Sequence, residues 1–379
     1  MNWVAWKMLT GDRAKYLGTV FGVAFGVLLI SQQTSIFVAL MRRTAHTAID
    51  VRDASVWVMD PHQQNADEIK PLSESDLNRV RGVPGVAWAV RYFKSLARAR
   101  IETGDFRQVI LIGLDDHTMV GAPVKMVEGS LANLRRPDAI IVDKAGYEYL
   151  WGQEPIRLGR TLEMNDRRAV LVGICDVTAP FQTFPVVYTR YSQAVQFVAA
   201  ERKVMSFVLA KPQPDHTPEN LARQIEMQTG LMAKTRTEFL WFIVGYYMRS
   251  TGIPINFGIT IALGFIVGTA IAGQTFYLFT LENLKQFGAL KAMGVSNRRL
   301  TGMVLLQASV VGLIGYGLGM GMTAAFFEST STVTALAGFY LPWQVAVLAA
   351  VAVAVIIVLA SLLSLRKVLV LEPAVVFRG

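Results

Sequence analysis

The stretch ENLKQFGALKAMGVSNRRL, residues 282–300, decides the fold. Leu284, Phe287, Leu290 and Met293 recur at helical spacing, while Lys285, Lys291, Arg298 and Arg299 fall on the other side. Gly294 ends the pattern as a helix C-terminus requires. On either side lie long apolar runs, 252–280 and 302–327. A short basic amphipathic helix held between two membrane spans is a place where a push from outside the bilayer can enter.

Composition agrees with membrane embedding. Of the 379 residues 53% are hydrophobic and only 17% charged, with a mean hydropathy of +0.38; soluble domains carry about 25% charged residues. The charges are concentrated: residues 42–249 hold 27 Lys/Arg and 24 Asp/Glu. That block reads as an ordinary globular domain. Its small surplus of positive charge indicates no nucleic-acid groove.

Residues 1–16 place Trp3, Trp6 and Leu9 on one side of an interfacial amphipathic helix. The first span, 17–41, is 25 residues without a formal charge, about 37 Å of helix against a hydrocarbon core of about 30 Å. It is too long for a cleaved signal peptide, and Gln32, Gln33, Thr34 and Ser35 stand where a cleavage site would lie. Further spans are expected at 253–280, 302–327 and 343–365, with a short loop at 328–342 and a tail at 366–379. The basic segments at 1–16, 282–300 and 366–379 place both termini in the cytoplasm. The fold class expected is therefore a membrane α-helical protein with four transmembrane helices and a large extracytoplasmic α+β domain, 42–250, inserted between the first and second.

Within that domain, strands are expected at 55–59, 86–93, 97–102, 108–114, 139–142, 161–164, 169–174, 204–210 and 231–235. Helices are expected at 73–81, opened by Ser73 with Asp76 three residues on, at 144–150, and at 218–228 behind the N-cap Thr217. The order suggests outer β-α-β pieces, about 50–115 and 203–237, around a strand-rich insert at 116–202.

Chemistry-bearing motifs are sparse. No GxxxxGK[ST] or GxSxG occurs, and His46, His62, His117 and His216 form no metal-ligand pair. Asp115-Asp116-His117 reads as a turn after a strand. The single cysteine, Cys175, sits in an alternating strand and reads as a small buried hydrophobe. The chain is expected to be non-catalytic, with no metal and no cofactor of its own. Small-residue faces recur in the spans: Gly18, Gly22 and Gly26; Gly264, Gly268 and Ala272; Gly315 and Gly319 beside Gly317 and Gly321. Such faces serve either packing within one chain or a homodimer seam. Gln32, Gln33, Gln274 and Gln307 are expected as polar glue between spans.

The layout, with ALKAMGVSNRRL (289–300) after the second span, resembles the FtsX/MacB-type ABC transporter permeases, also called type VII or mechanotransmission permeases. The opening AWKMLTGDRAKYLGTVFGVAFGVLLI (5–30) is similar to that family's interfacial helix and first span. GVPGVAWAV (82–90), VILIGLD (109–115), LGRTLEMNDRRAVLVGI (158–174) and VMSFVLAKPQPD (204–215) are similar to its external-domain landmarks. Residues 250–277 followed by LKAMG (290–294) look closest to DevC-like exporter permeases. The resemblance implies an inner-membrane permease homodimer bound to a separate cytoplasmic ABC ATPase, which holds the ATP and magnesium. It also implies a periplasmic adaptor (a membrane fusion protein) and an outer-membrane channel, with ATPase-coupling residues among Glu282, Lys285, Gln286, Phe287, Leu290, Lys291, Met293, Gly294 and Arg298. Where the family often has Glu in [ED]-[IFY]-G-x-L-[RK]-A, this chain has Gln286, which leaves Glu282, Lys285, Lys291 and Arg298 as the polar candidates. Other members suggest two alternatives: an FtsX-like signalling scaffold that activates a cell-wall hydrolase, and a lipoprotein-releasing permease.

Overall fold

The computed structural model describes residues 2–68, 70–199, 205–331 and 338–370. Most of the expected tail, part of the 328–342 loop and the first residue of the 204–210 strand lie outside the described residues. The chain divides into a helical unit, residues 1–39 and 252–379, and an inserted unit, residues 40–251.

In chain order the helices are α1 (Asn2–Gly11), α2 (Arg13–Thr44), α3 (His46–Asp50), α4 (Glu74–Arg81), α5 (Lys144–Trp151), α6 (Tyr191–Ala194), α7 (Pro218–Thr229), α8 (Arg236–Ser250), α9 (Ile253–Glu282), α10 (Leu284–Ala292), α11 (Asn297–Thr330) and α12 (Trp343–Val370). Four of them, α2, α9, α11 and α12, are long and apolar enough to cross a membrane. The fold class is as expected, with two local differences. Arg13 to Tyr16 belong to the span helix α2, because the chain breaks at Asp12, whose carboxylate accepts from the Lys15 N–H at 3.2 Å. Residues 297–300 likewise open α11 rather than closing α10.

The span helices interlock through glycines. A Cβ on Gly26 would lie 3.2 Å from the Gly264 carbonyl and from the Gly268 Cα, so α2 and α9 touch backbone to backbone there. Gly315 faces Val20 and Val23, and Gly319 faces Ala24 and Val27, which seats α11 on α2. Gly22 meets Ile271. These faces are spent on packing within the chain. Gly18, Gly317 and Gly321 meet nothing within 4 Å. Gln274 is exposed and not a buried tie, whereas Gln307 is buried as expected.

The inserted unit carries β1 (Val56–Met59), β2 (Val86–Arg100), β3 (Phe106–Leu114), β4 (Lys125–Gly129), β5 (Ala139–Asp143), β6 (Thr161–Met164), β7 (Arg167–Asp176), β8 (Val186–Arg190), β9 (Phe207–Pro212) and β10 (Met232–Thr235). They form one sheet in the order β10-β1-β9-β2-β3-β8-β5-β7-β4, with β6 pairing β2 and β7. The first four of that order, all antiparallel, have ferredoxin-like connectivity, with α4 and α7 sharing one apolar cluster on their face. Ser73 and Asp76 make the expected capping box, and Thr217 caps α7. The expected strands 86–93 and 97–102 are one continuous strand. Its central Lys94 is only 4% exposed, because its ammonium reaches the Asp67 carboxylate at 2.7 Å.

On the sheet's other face, α3 and α8 share a core with Trp57, Tyr92 and Phe207. Trp57 stacks on Phe239 with ring centroids 4.5 Å apart. His46 is buried there, its ring nitrogens 3.1 Å from the Arg43 carbonyl and from Thr47 Oγ1. Burial, helped by the Lys94 charge, pushes its pKa down to about 3. Because the folded value lies below the unfolded one near 6.5, the unfolded chain takes the proton first, and stability falls as pH drops below 6.5. Asp50 and Asp143, each raised to about 6 by burial, act in the opposite sense. The readout is therefore the difference between variant and wild type. Thermal unfolding of the purified chain should show His46→Gln gaining about 2 kcal/mol on wild type between pH 7 and pH 5. An equal pH response in both proteins would refute this.

Candidate coupling site

The site is built on the tight reversal between α9 and α11. Asn283 closes α9 with its side-chain amide on the Phe279 carbonyl at 2.8 Å, and α10 follows at once. At the other end Gly294 adopts φ +86°, a left-handed conformation that a side chain resists. Its N–H reaches the Lys291 carbonyl at 3.0 Å and the Val295 N–H reaches the Leu290 carbonyl at 3.1 Å. This is a Schellman closure, with Val295 and Leu290 in one apolar cluster.

Phe287 is fully buried and Gly288 lies beside it. Phe287 packs with Ala5 of α1, with Leu300, Met303 and Val304 of α11, and with Leu365 of α12. Gln307, 1% exposed, donates from Nε2 to the Ala5 carbonyl at 2.8 Å and so fixes α1 to α11. Lys15 bridges Asp12 at 2.8 Å and also Glu282, tying the start of α2 to the end of α9. Lys291 donates to the Leu369 carbonyl at 3.0 Å. Thus α10 is seated on α1 and on two of the long helices, α11 and α12.

The candidate residues divide accordingly. Phe287 faces inward, and Leu284 and Leu290 are half-buried. Glu282 and Lys291 serve bonds within the chain. Lys285, Gln286, Gly294 and Arg298 are exposed. Met293 is a correction to the expected apolar stripe: it is 72% exposed, because α10 stops at Ala292 and the turn swings it outward. Beside this face a cleft of about 490 Å³ is lined by Trp3, Lys7, Met8, Asp12, Glu282 and Gln286, among others. Trp3 is 71% exposed with the Lys7 ammonium 5.7 Å from its ring centre. The contribution of α1 and Gln307 was hidden in the sequence, since a glutamine inside a span does not name its partner.

Elsewhere, Asp115 accepts from the His117 and Thr118 N–H groups, so that cluster is a turn. Among the described residues no group of three or more His, Cys, Asp or Glu side chains could hold a metal ion.

Comparison with known proteins agrees with this architecture. The family model of the MacB-like periplasmic core domain matches residues 16–228, more than half of the chain, and that of the FtsX-like permease C-terminal region matches residues 241–373. The chain belongs to the FtsX/MacB-type ABC transporter permeases. An ABC transporter permease of Mycobacterium tuberculosis is 26% identical to this permease over 311 residues, 82% of this chain and 80% of that one. Another, from Mycobacterium bovis, is 26% identical over 314 residues, again 82% and 80% of the two chains. The periplasmic region of MacB from Actinobacillus actinomycetemcomitans is 14% identical, with a TM-score of 0.37, covering 54% of this permease and 96% of that chain.

Proposed function

We propose that the exposed face around α10 docks a separate cytoplasmic ABC ATPase and takes up its ATP-driven motion. The permease then relays that motion through its spans to the inserted domain on the periplasmic side of the inner membrane. The observation that carries this reading is the division of α10. Its inner face is locked to α1, α11 and α12, so a load on it reaches the helical unit directly, while Lys285, Gln286, Met293 and Arg298 remain exposed. An exposed apolar side chain in one segment with exposed polar and basic residues has the make-up of a small interface centre.

Because Met293 and Lys285 are exposed, their replacement leaves the packing of α10 intact, whereas Leu290 lies partly in the core. In nanodiscs with the cognate ATPase, Met293→Asp/Lys285→Glu should weaken ATPase binding at least about tenfold, with unfolding temperature unchanged. Wild-type affinity and wild-type stimulation of ATP hydrolysis in that variant would end the docking reading.

The functional unit in this reading is a homodimer. Ile255, Ile259, Leu263 and Ile266 are exposed along one side of α9, and the polar Gln274 continues that side. An amide facing lipid is costly, and a second copy would supply its partner. Oxidation of Gln274→Cys membranes should give a disulfide-linked dimer, and a Leu318→Cys control on α11 should not; the reverse pattern would exclude this seam. The finer reading, export with a periplasmic adaptor and an outer-membrane channel, rests on the sequence resemblance. Co-purification of an adaptor with the full chain tests it, and capture of a cell-wall hydrolase in its place would favour the signalling role.

A further inference from the structure

The inserted unit holds its two membrane-flanking helices by directional bonds as well as by packing. Helix α3, which follows α2 after Ala45, has only five residues, too few to persist alone. Its last carbonyls have no partner within the helix. Arg236, the first residue of α8, supplies both: Nε donates to the Ala48 carbonyl at 2.9 Å and Nη2 to the Ile49 carbonyl at 2.8 Å. The guanidinium fork fastens the exit from α2 to the helix that leads into α9. At the far end of α8, Tyr247 donates to the Asp67 carboxylate at 3.1 Å, and the same carboxylate takes the Lys94 ammonium from the middle of β2. Between these ends the Trp57–Phe239 stack presses α8 onto β1.

We propose that Arg236 and the Tyr247–Asp67–Lys94 chain are positioning residues that lock α3 and α8 to the sheet as one rigid body. Displacement of the flanking spans then moves the whole inserted domain. The proposal rests on the motion-relay reading above. Apolar packing alone lets helices slide past one another by an ångström or two, and a relay built that way dissipates its stroke. Hydrogen bonds at both ends of α8 oppose such sliding. The two flanking helices α3 and α8 are joined through the fork, which opposes their moving independently.

The test uses the full chain with its cognate ATPase in nanodiscs and nitroxides on engineered cysteines; buried Cys175 stays silent. A Met227→Cys/Met248→Cys pair reports distances inside the domain, and Met227→Cys/Ser329→Cys reports movement against α11. In wild type, trapping the ATPase with ATP and vanadate should shift the second pair and leave the first unchanged. In Arg236→Met and in the milder Tyr247→Phe, the first pair should broaden by about 2 Å or more and the shift of the second should shrink, with ATP hydrolysis retained. Arg236→Lys, which can restore one of the two bonds, should recover part of the shift. A first pair that is the same in wild type, Arg236→Met and Tyr247→Phe overturns the lock. A second pair indifferent to nucleotide in wild type overturns the motion relay instead.

Discussion

Replacing Asp67 by alanine is expected to destabilise the inserted domain by about 3–5 kcal/mol, the usual consequence of leaving a buried charge without its partner. The Lys94 ammonium, on a residue 4% exposed, would keep only the Ala66 carbonyl at 3.5 Å. Asp67 itself is 38% exposed at its side chain and sheds charge to water more easily. Asp67→Ala should therefore cost more than Lys94→Met. The double variant Asp67→Ala/Lys94→Met should recover most of the loss, since an apolar chain of similar length suits the site. In a unit of about two hundred residues the single change corresponds to a fall of roughly 10 °C in unfolding temperature. A loss under about 1 kcal/mol would mean that water reaches Lys94 after all.

Gly319→Leu should be the most damaging change in the helical unit. A Cβ there would lie 2.6 Å from the Ala24 carbonyl oxygen and from Val27 Cβ. Backbone cannot give way as a flexible side-chain end can, so α2 and α11 must part. We expect a cost at or above the usual 1–3 kcal/mol of overpacking, and a sharp loss of monodisperse protein on size exclusion in detergent. Gly317→Leu, two residues away with nothing within 4 Å, is the matched control and should be tolerated. Equal behaviour of the two variants would place the α2–α11 crossing elsewhere.

These residues also show what the sequence could and could not convey. The spans were legible because an uncharged run of more than about 20 residues fits a bilayer and little else. The helix starts at Ser73 and Thr217 were legible because capping is local chemistry. Lys94 misled because a lysine within an apolar strand ordinarily marks its end, and the carboxylate that offsets its burial lies 27 residues away. Strand β4 is not legible in the sequence because it is a sheet edge with Lys125 and Glu128 exposed, so it lacks alternation. The glycine stripes announced close approach but not of which helices, since spacing is the same for a partner in the same chain or another. At the candidate coupling site a single apolar face holding Leu284, Phe287 and Leu290 followed from helical period. The outward swing of Met293 did not, because it depends on where the Gly294 turn falls.

The order of strands has a consequence for biogenesis. Strand β1 lies between β9 and β10, both of which are made more than 140 residues later. At 5–20 residues per second, Val-Trp-Val-Met waits with both edges open for roughly 10–30 s. All four of these residues are buried in the finished sheet. During that interval the domain is a half-closed book with an adhesive spine, and its safe completion is a matter of timing as much as of final stability.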